Sequence, residues 1–110
     1  MQATGQIKTT SNNKCGVIYI SGEFAFNIQS EFRAAYEAMV LKNTLIQIDF
    51  QNTQYMDSSG LGMLLVMKKF LDENKMVCEL LKVNGQVYDL LNMTHFHKYF
   101  KINGNLLTQN

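Results

Sequence analysis

The sequence predicts an α/β domain built on a mainly parallel sheet of four to five strands with packed helices. Short apolar runs at 15–21, 45–50 and 76–83 alternate with segments whose apolar residues recur every three and four positions. That order implies βαβ units, whose crossovers are right-handed. The chain has 110 residues, 46% of them hydrophobic, and no proline. This is the size of one domain with a single core, so 1–110 is expected to be one unit.

The elements follow in order. Gln6-Ile7-Lys8-Thr9-Thr10 predicts a polar edge strand at about 5–10, and Ser11-Asn12-Asn13-Lys14 a turn leading back. Cys15 to Ser21 is a strand closed by Gly22, and Glu23 to Asn27 is the turn into a helix. That helix is expected over Ile28–Lys42, with Ile28, Phe32, Ala35, Tyr36, Met39 and Val40 on one face and Asn43 as its stop. Leu45-Ile46-Gln47-Ile48-Asp49-Phe50 is a buried strand, ended by a polar loop. A second helix is expected over Leu61–Asn74, free of Pro and nearly free of Gly. A strand over Met76–Val83 and a short helix over Gly85–Asn92 capped by Asn84 come next. A last strand at Tyr99–Ile102 and a loose tail at about 103–110 complete the chain.

Composition narrows the function. Ten basic and nine acidic residues leave a net charge of +1, which gives no electrostatic reason for a nucleic acid or an acidic membrane as partner. Lys68, Lys69 and Lys75 alternate with Asp72 and Glu73, as on a solvated helix face. Cys15 and Cys78 lie inside apolar runs and read as free buried thiols of a reducing compartment. No run reaches membrane-spanning length and the start lacks a signal-peptide core, so a cytoplasmic protein is expected.

The chemistry concentrates in Met56-Asp57-Ser58-Ser59-Gly60-Leu61-Gly62, between the central strand and the second helix. A helix start offers unpaired N–H groups and a positive dipole end, so it caps with Ser and tolerates an added phosphate. One capping hydroxyl does not require two glycines in the first turn, each of which costs about 0.5–1 kcal/mol relative to Ala. Glycines there keep the helix start bare, so that another protein's backbone can approach. On the second helix, Met63, Leu64, Met67, Phe70 and Leu71 form the core face. Leu61 and Leu65 fall outside that stripe, one turn from Ser58, and suggest a partner surface.

Other site chemistries fit less well. A serine nucleophile needs a base and usually a strained elbow with Gly two residues before it, where Met56 precedes Ser58. No phosphate-cradling glycine loop ending in Lys and Ser or Thr occurs, so any ATP must be brought by a kinase. His95 and His97 are the only histidines and read as loop or surface residues, not metal ligands. Asp49 and Asp57 have no evident partner that would make them paired acids. No cofactor or metal, and no enzymatic activity, is expected.

Asp-Ser-Ser-Gly-Leu-Gly after a hydrophobic strand resembles the STAS domain of bacterial anti-sigma-factor antagonists. The resemblance runs from about Cys15 to Ile102 and includes Ser21-Gly22-Glu23-Phe24 and Met93-Thr94-His95-Phe96. It implies a stacked βα superhelix with the N-terminal strand antiparallel. It also implies phosphorylation by a partner kinase on Ser58, with Ser59 as the alternative. The partner surface so implied comprises Asp57, Ser59, Gly60, Leu61, Gly62 and Leu65, with Glu23 and Ala25 at the turn before the first helix. Many phosphorylated relatives carry Asp where this chain has Ala25, a position associated with partner binding. The implied partners are an anti-sigma factor acting as serine kinase and a PP2C-type phosphatase, and the implied state is a monomer or weak dimer. Two alternatives remain: a STAS scaffold subunit of a transporter or sensory complex that carries no phosphate, and a module binding a small anion at the helix start.

Overall fold

The computed structural model describes residues 5–12 and 14–104. Among these residues five strands and three helices follow in the order β1 (Gln6–Ser11), β2 (Cys15–Phe24), α1 (Gln29–Met39), β3 (Leu45–Met56), α2 (Ser58–Glu73), β4 (Val77–Leu81), α3 (Gly85–Met93) and β5 (Lys101–Ile102). Single 3-10 turns at Phe26–Ile28 and Phe96–Lys98 precede α1 and β5. The sheet order is β1-β2-β3-β4-β5, with β1 antiparallel to β2 and all other pairs parallel. Strands therefore add one after another in one direction. Right-handed crossovers that always step the same way place successive helices on the same side of the sheet.

Burial along the strands agrees. Gly16, Ile18 and Ile20 of β2, Ile46, Ile48 and Phe50 of β3 and Leu80 of β4 are buried, and the register sets Ile18 beside Ile48 and Ile48 beside Leu80. Side chains of the opposite parity are less covered: Tyr19 and Val77 are exposed, and Val17, Gln47 and Glu79 half-buried, with Asp49 the buried exception. Period-two alternation is what a sheet covered on one face requires. Gly16 allows the close approach of α1: a Cβ there would lie 2.5 Å from Met39 Sδ and 2.9 Å from Asn43 Oδ1. α1 and α2 lie side by side, with the rings of Tyr36 and Phe70 5.6 Å apart.

Several boundaries differ from expectation. β3 continues through the stretch read as a polar loop, up to Met56. β4 stops pairing with β3 at Leu81, opposite Asp49, and beyond that point β3 has only β2 beside it, so Gln51, Asn52, Gln54 and Tyr55 are exposed and their polarity no longer signals a loop. Two register shifts, after Tyr19 and after Gly22, let β2 follow it, and Thr53 Oγ1 donates to Ile20 O at 2.8 Å across the first. α1 ends at Met39, not Lys42, and the chain leaves through a turn anchored by buried Asn43, whose amide donates to Asn12 O at 2.9 Å. α2 starts at Ser58, three residues before the expected Leu61, because Asp57 caps it. β4 and β5 are shorter than their apolar runs, and α3 gains Met93. Asn84 stands at the cap position of α3 without a capping bond, its side chain donating to Lys82 O instead. Of the expected tail, Asn103 and Gly104 form a turn and the remainder lies outside the described residues, as does Asn13 of the first turn.

Candidate functional site

The start of α2 emerges where β3 ends, and its first residues divide their work. Asp57 is extended and is the N-cap: its Oδ1 accepts from Ser59 N at 2.9 Å, from Gly60 N at 3.2 Å and from the Ser59 hydroxyl. The cap is therefore Asp57 and not the serines, as the sequence reading had it. Asp, Asn and Ser cap about equally well, so the choice falls to the residue whose backbone is still extended. The Ser59 hydroxyl, then the helix N–H groups of Gly60 and Ser59, hold the Asp57 carboxyl below its usual range, against the opposing effect of burial.

The two serines differ in environment. Ser59 is half-buried, and besides donating to Asp57 its Oγ accepts from Phe26 N at 3.0 Å. This ties the turn between β2 and α1 to the start of α2. Ser58 is the first residue of α2, is exposed, and enters none of these bonds.

The two glycines differ as well. Gly60 is buried, and a Cβ there would lie 2.5 Å from Phe24 O and 2.7 Å from Met56 Cγ. Its absent side chain serves close packing on β2, which corrects the expectation that it keeps the helix start bare. Gly62 is exposed and nothing lies within 4 Å of its would-be Cβ, so that expectation passes to Gly62 alone. Phe24 beneath is fully buried and meets Phe32 and Phe50 edge-on, at centroid distances of 4.9 and 5.7 Å.

Leu65 is 41% exposed, as its place off the stripe suggested. Leu61 is half-buried and packs against the core, a correction to its reading as a purely outward residue. Glu23 is half-buried beside Tyr55, and Ala25 opens the 3-10 turn whose Phe26 reaches Ser59. The site thus gathers Asp57, Ser58, Ser59 and Gly62 with the Ala25 turn.

Sequence reasoning missed three residues. Phe26 and Val66 are 66% and 62% exposed and, with Phe32, Tyr36 and Met63, line a groove of about 300 Å³ that also reaches Ser59 and Gly62. An apolar residue in a turn and another off the helix stripe were the available signals. Gln86 of α3 is the third: Met56 N donates to its Oε1 at 2.9 Å, and its Nε2 donates to Met56 O at 2.8 Å. A single polar residue in a helix start gives no sequence signal of such a contact.

The remaining candidates lie apart in their partners. Asp49 accepts from Gln51 N and stands 3.7 Å from Lys82 Nζ, so it does not pair with Asp57. His95 and His97 meet edge-on at 5.9 Å on the last turn, and among the described residues they join no group of three or more possible metal ligands. Cys15 and Cys78 are free and half-buried, not fully buried. Burial first and Glu79 second raise both thiols, Cys78 up to about 12, which keeps the thiolate scarce. Among the described residues no helix is long and apolar enough to cross a membrane.

The class so defined is a one-sided, sequentially ordered α/β sheet with a capped helix start that leaves the Ser58 side chain outside the capping bonds. The STAS domain profile matches residues 6–107, and the chain belongs to that family. A STAS-domain containing protein of Pseudomonas aeruginosa (strain UCBPP-PA14) is 33% identical over 85 residues, 77% of this chain and 84% of the relative. The anti-sigma factor antagonist SpoIIAA in its unphosphorylated form is similar in structure, with TM-score 0.72 at 21% identity over 90% of this chain and 87% of that one. Its phosphorylated Bacillus form gives 0.67 at 20% identity, over 90% of each chain. A sulfate transporter family protein from Wolinella succinogenes gives 0.73 at 13% identity over 86% of this chain and 80% of that one. At these identities the structural likenesses establish the fold.

Proposed function

We propose that this STAS domain is a phosphorylation-controlled binding protein, an anti-sigma-factor antagonist of a bacterial partner-switching system. Unmodified, it captures an anti-sigma factor that is also a serine kinase; phosphorylated on Ser58, it lets go, and a PP2C-type phosphatase restores it. It works in the cytoplasm as a binding partner, not as an enzyme. The observation that carries the reading is the contrast between the serines: the Ser58 side chain is exposed at the first helical position, whereas the Ser59 hydroxyl is engaged by Asp57 and Phe26 N. SpoIIAA, known in unphosphorylated and phosphorylated forms, supports the same reading.

The physics of release is local. A phosphate adds about −1.5 to −2 charge at pH 7 beside the Asp57 carboxylate, in a contact that must otherwise shed water. The same charge at a helix start is favoured within the domain by about 0.3–1 kcal/mol. The fold is kept and the interface is lost. Phosphopeptide mapping of the protein recovered from its native cells tests the assignment, and phosphate on Ser58 is expected. Phosphate on Ser59 alone contradicts the assignment, and phosphate on neither favours a STAS scaffold subunit.

A further inference from the structure

We propose that Gln86 is a positioning residue of the Ser58 site, fixing the backbone from which Asp57 and α2 depart. β4 stops pairing with β3 opposite Asp49, so the end of β3 lacks a strand on that side. At Met56 the Gln86 side chain takes that strand's place, accepting the N–H at 2.9 Å and donating to the carbonyl at 2.8 Å. A primary amide carries the same donor and acceptor as a peptide unit, whereas an ionised carboxylate can only accept and an apolar side chain does neither. Left unpaired in this partly buried place, both main-chain groups of Met56 would need other partners.

The next residue is Asp57, whose carboxylate must sit within reach of Ser59 N, Gly60 N and the Ser59 hydroxyl at once. Gln86 holds the chain just before the cap, and the bond from Phe26 N to Ser59 holds it just after. α3 thereby belongs to the site although none of its residues was singled out by the motif. The inference deepens the reading of Ser58 as the modified residue and rests on it: a helix start clamped from two elements presents the Ser58 hydroxyl in one geometry to the kinase.

The test uses the full chain with Gln86→Leu and Gln86→Glu. Amide exchange of Met56, referenced to Ile48 in the centre of β3, should be at least tenfold faster in Gln86→Leu than in the parent. The Asp57 carboxyl, followed by carbon NMR, should titrate nearer its ordinary value in the same variant. Gln86→Glu keeps an acceptor for Met56 N–H but at neutral pH loses the donor to Met56 O, so its Met56 protection should lie between those of Gln86→Leu and the parent. It should return to the parent's below the ordinary glutamic acid value of about 4.3, where the neutral acid again offers donor and acceptor. That comparison within one protein separates a lost bracket from a misfolded variant. In native cells the fraction of chains phosphorylated on Ser58 should fall several-fold in Gln86→Leu. Met56 exchange within twofold of the parent, an unmoved Asp57 titration, or an unchanged phosphorylated fraction overturns the proposal. A parent that carries no phosphate on Ser58 retires the functional reading instead, while exchange and titration still decide whether Gln86 positions the helix start.

Discussion

Asp57 and Ser59 do the structural work that leaves Ser58 free. Replacing Asp57 by Ala removes the acceptor of two helix N–H groups, and the loss of an N-cap costs about 0.5–2 kcal/mol. Because the folded carboxyl is held below its ordinary value, its stabilising effect is complete above the unfolded value of about 3.9 and fades as pH falls through the lower, folded value. Thermal melts across the acid range should therefore show Asp57→Asn, which caps without titrating, losing less stability on acidification than the parent. Equal losses in both would show that Asp57 is not held low by its cap bonds. The motif itself was legible in the sequence, but the division among its members was not. Asp, Ser and Ser are all good caps, and what separates Ser59 from Ser58 is a bond to Phe26 N, 33 residues away in the chain.

At the scale of elements, α2 meets the sheet through Gly60, Met63, Leu64, Met67 and Leu71. Gly60→Ala should destabilise by about 1–3 kcal/mol, because its Cβ would press on the Phe24 backbone, which cannot swing aside as a side chain can. Gly62→Ala meets nothing and should stabilise by about 0.5–1 kcal/mol. In the same melts Leu64→Ala should cost about 2–5 kcal/mol and Leu65→Ala about 0.5 kcal/mol or less, with Leu61→Ala between them. A Leu65→Ala variant that melts as early as Leu64→Ala contradicts the outward placing of Leu65. The core stripe of α2 was readable because helical period and burial coincide there, although Phe70 is only half-buried, against Tyr36. The true length of β3 was hidden because its second half pairs on one side only, and an exposed strand is as polar as a loop.

For the whole molecule, alternation of strands and helices was enough to give a parallel sheet, and the family resemblance supplied the antiparallel first strand. Coverage of one face emerged only from the strand order, in which every crossover steps the same way. That arrangement brings the β2–α1 turn and the first turns of α2 and α3 to the end of β3, where Ser58 lies. The central claim is that charge at Ser58 dissociates a partner without unfolding the domain. Its most direct test is co-purification from native cells of tagged Ser58→Ala and Ser58→Asp chains, with thermal melts of both. The two should melt within about 1 kcal/mol of the parent in stability. Ser58→Ala should retain a kinase-type partner that Ser58→Asp loses at least tenfold; equal retention of the same partner by both, with both folded, would contradict the account.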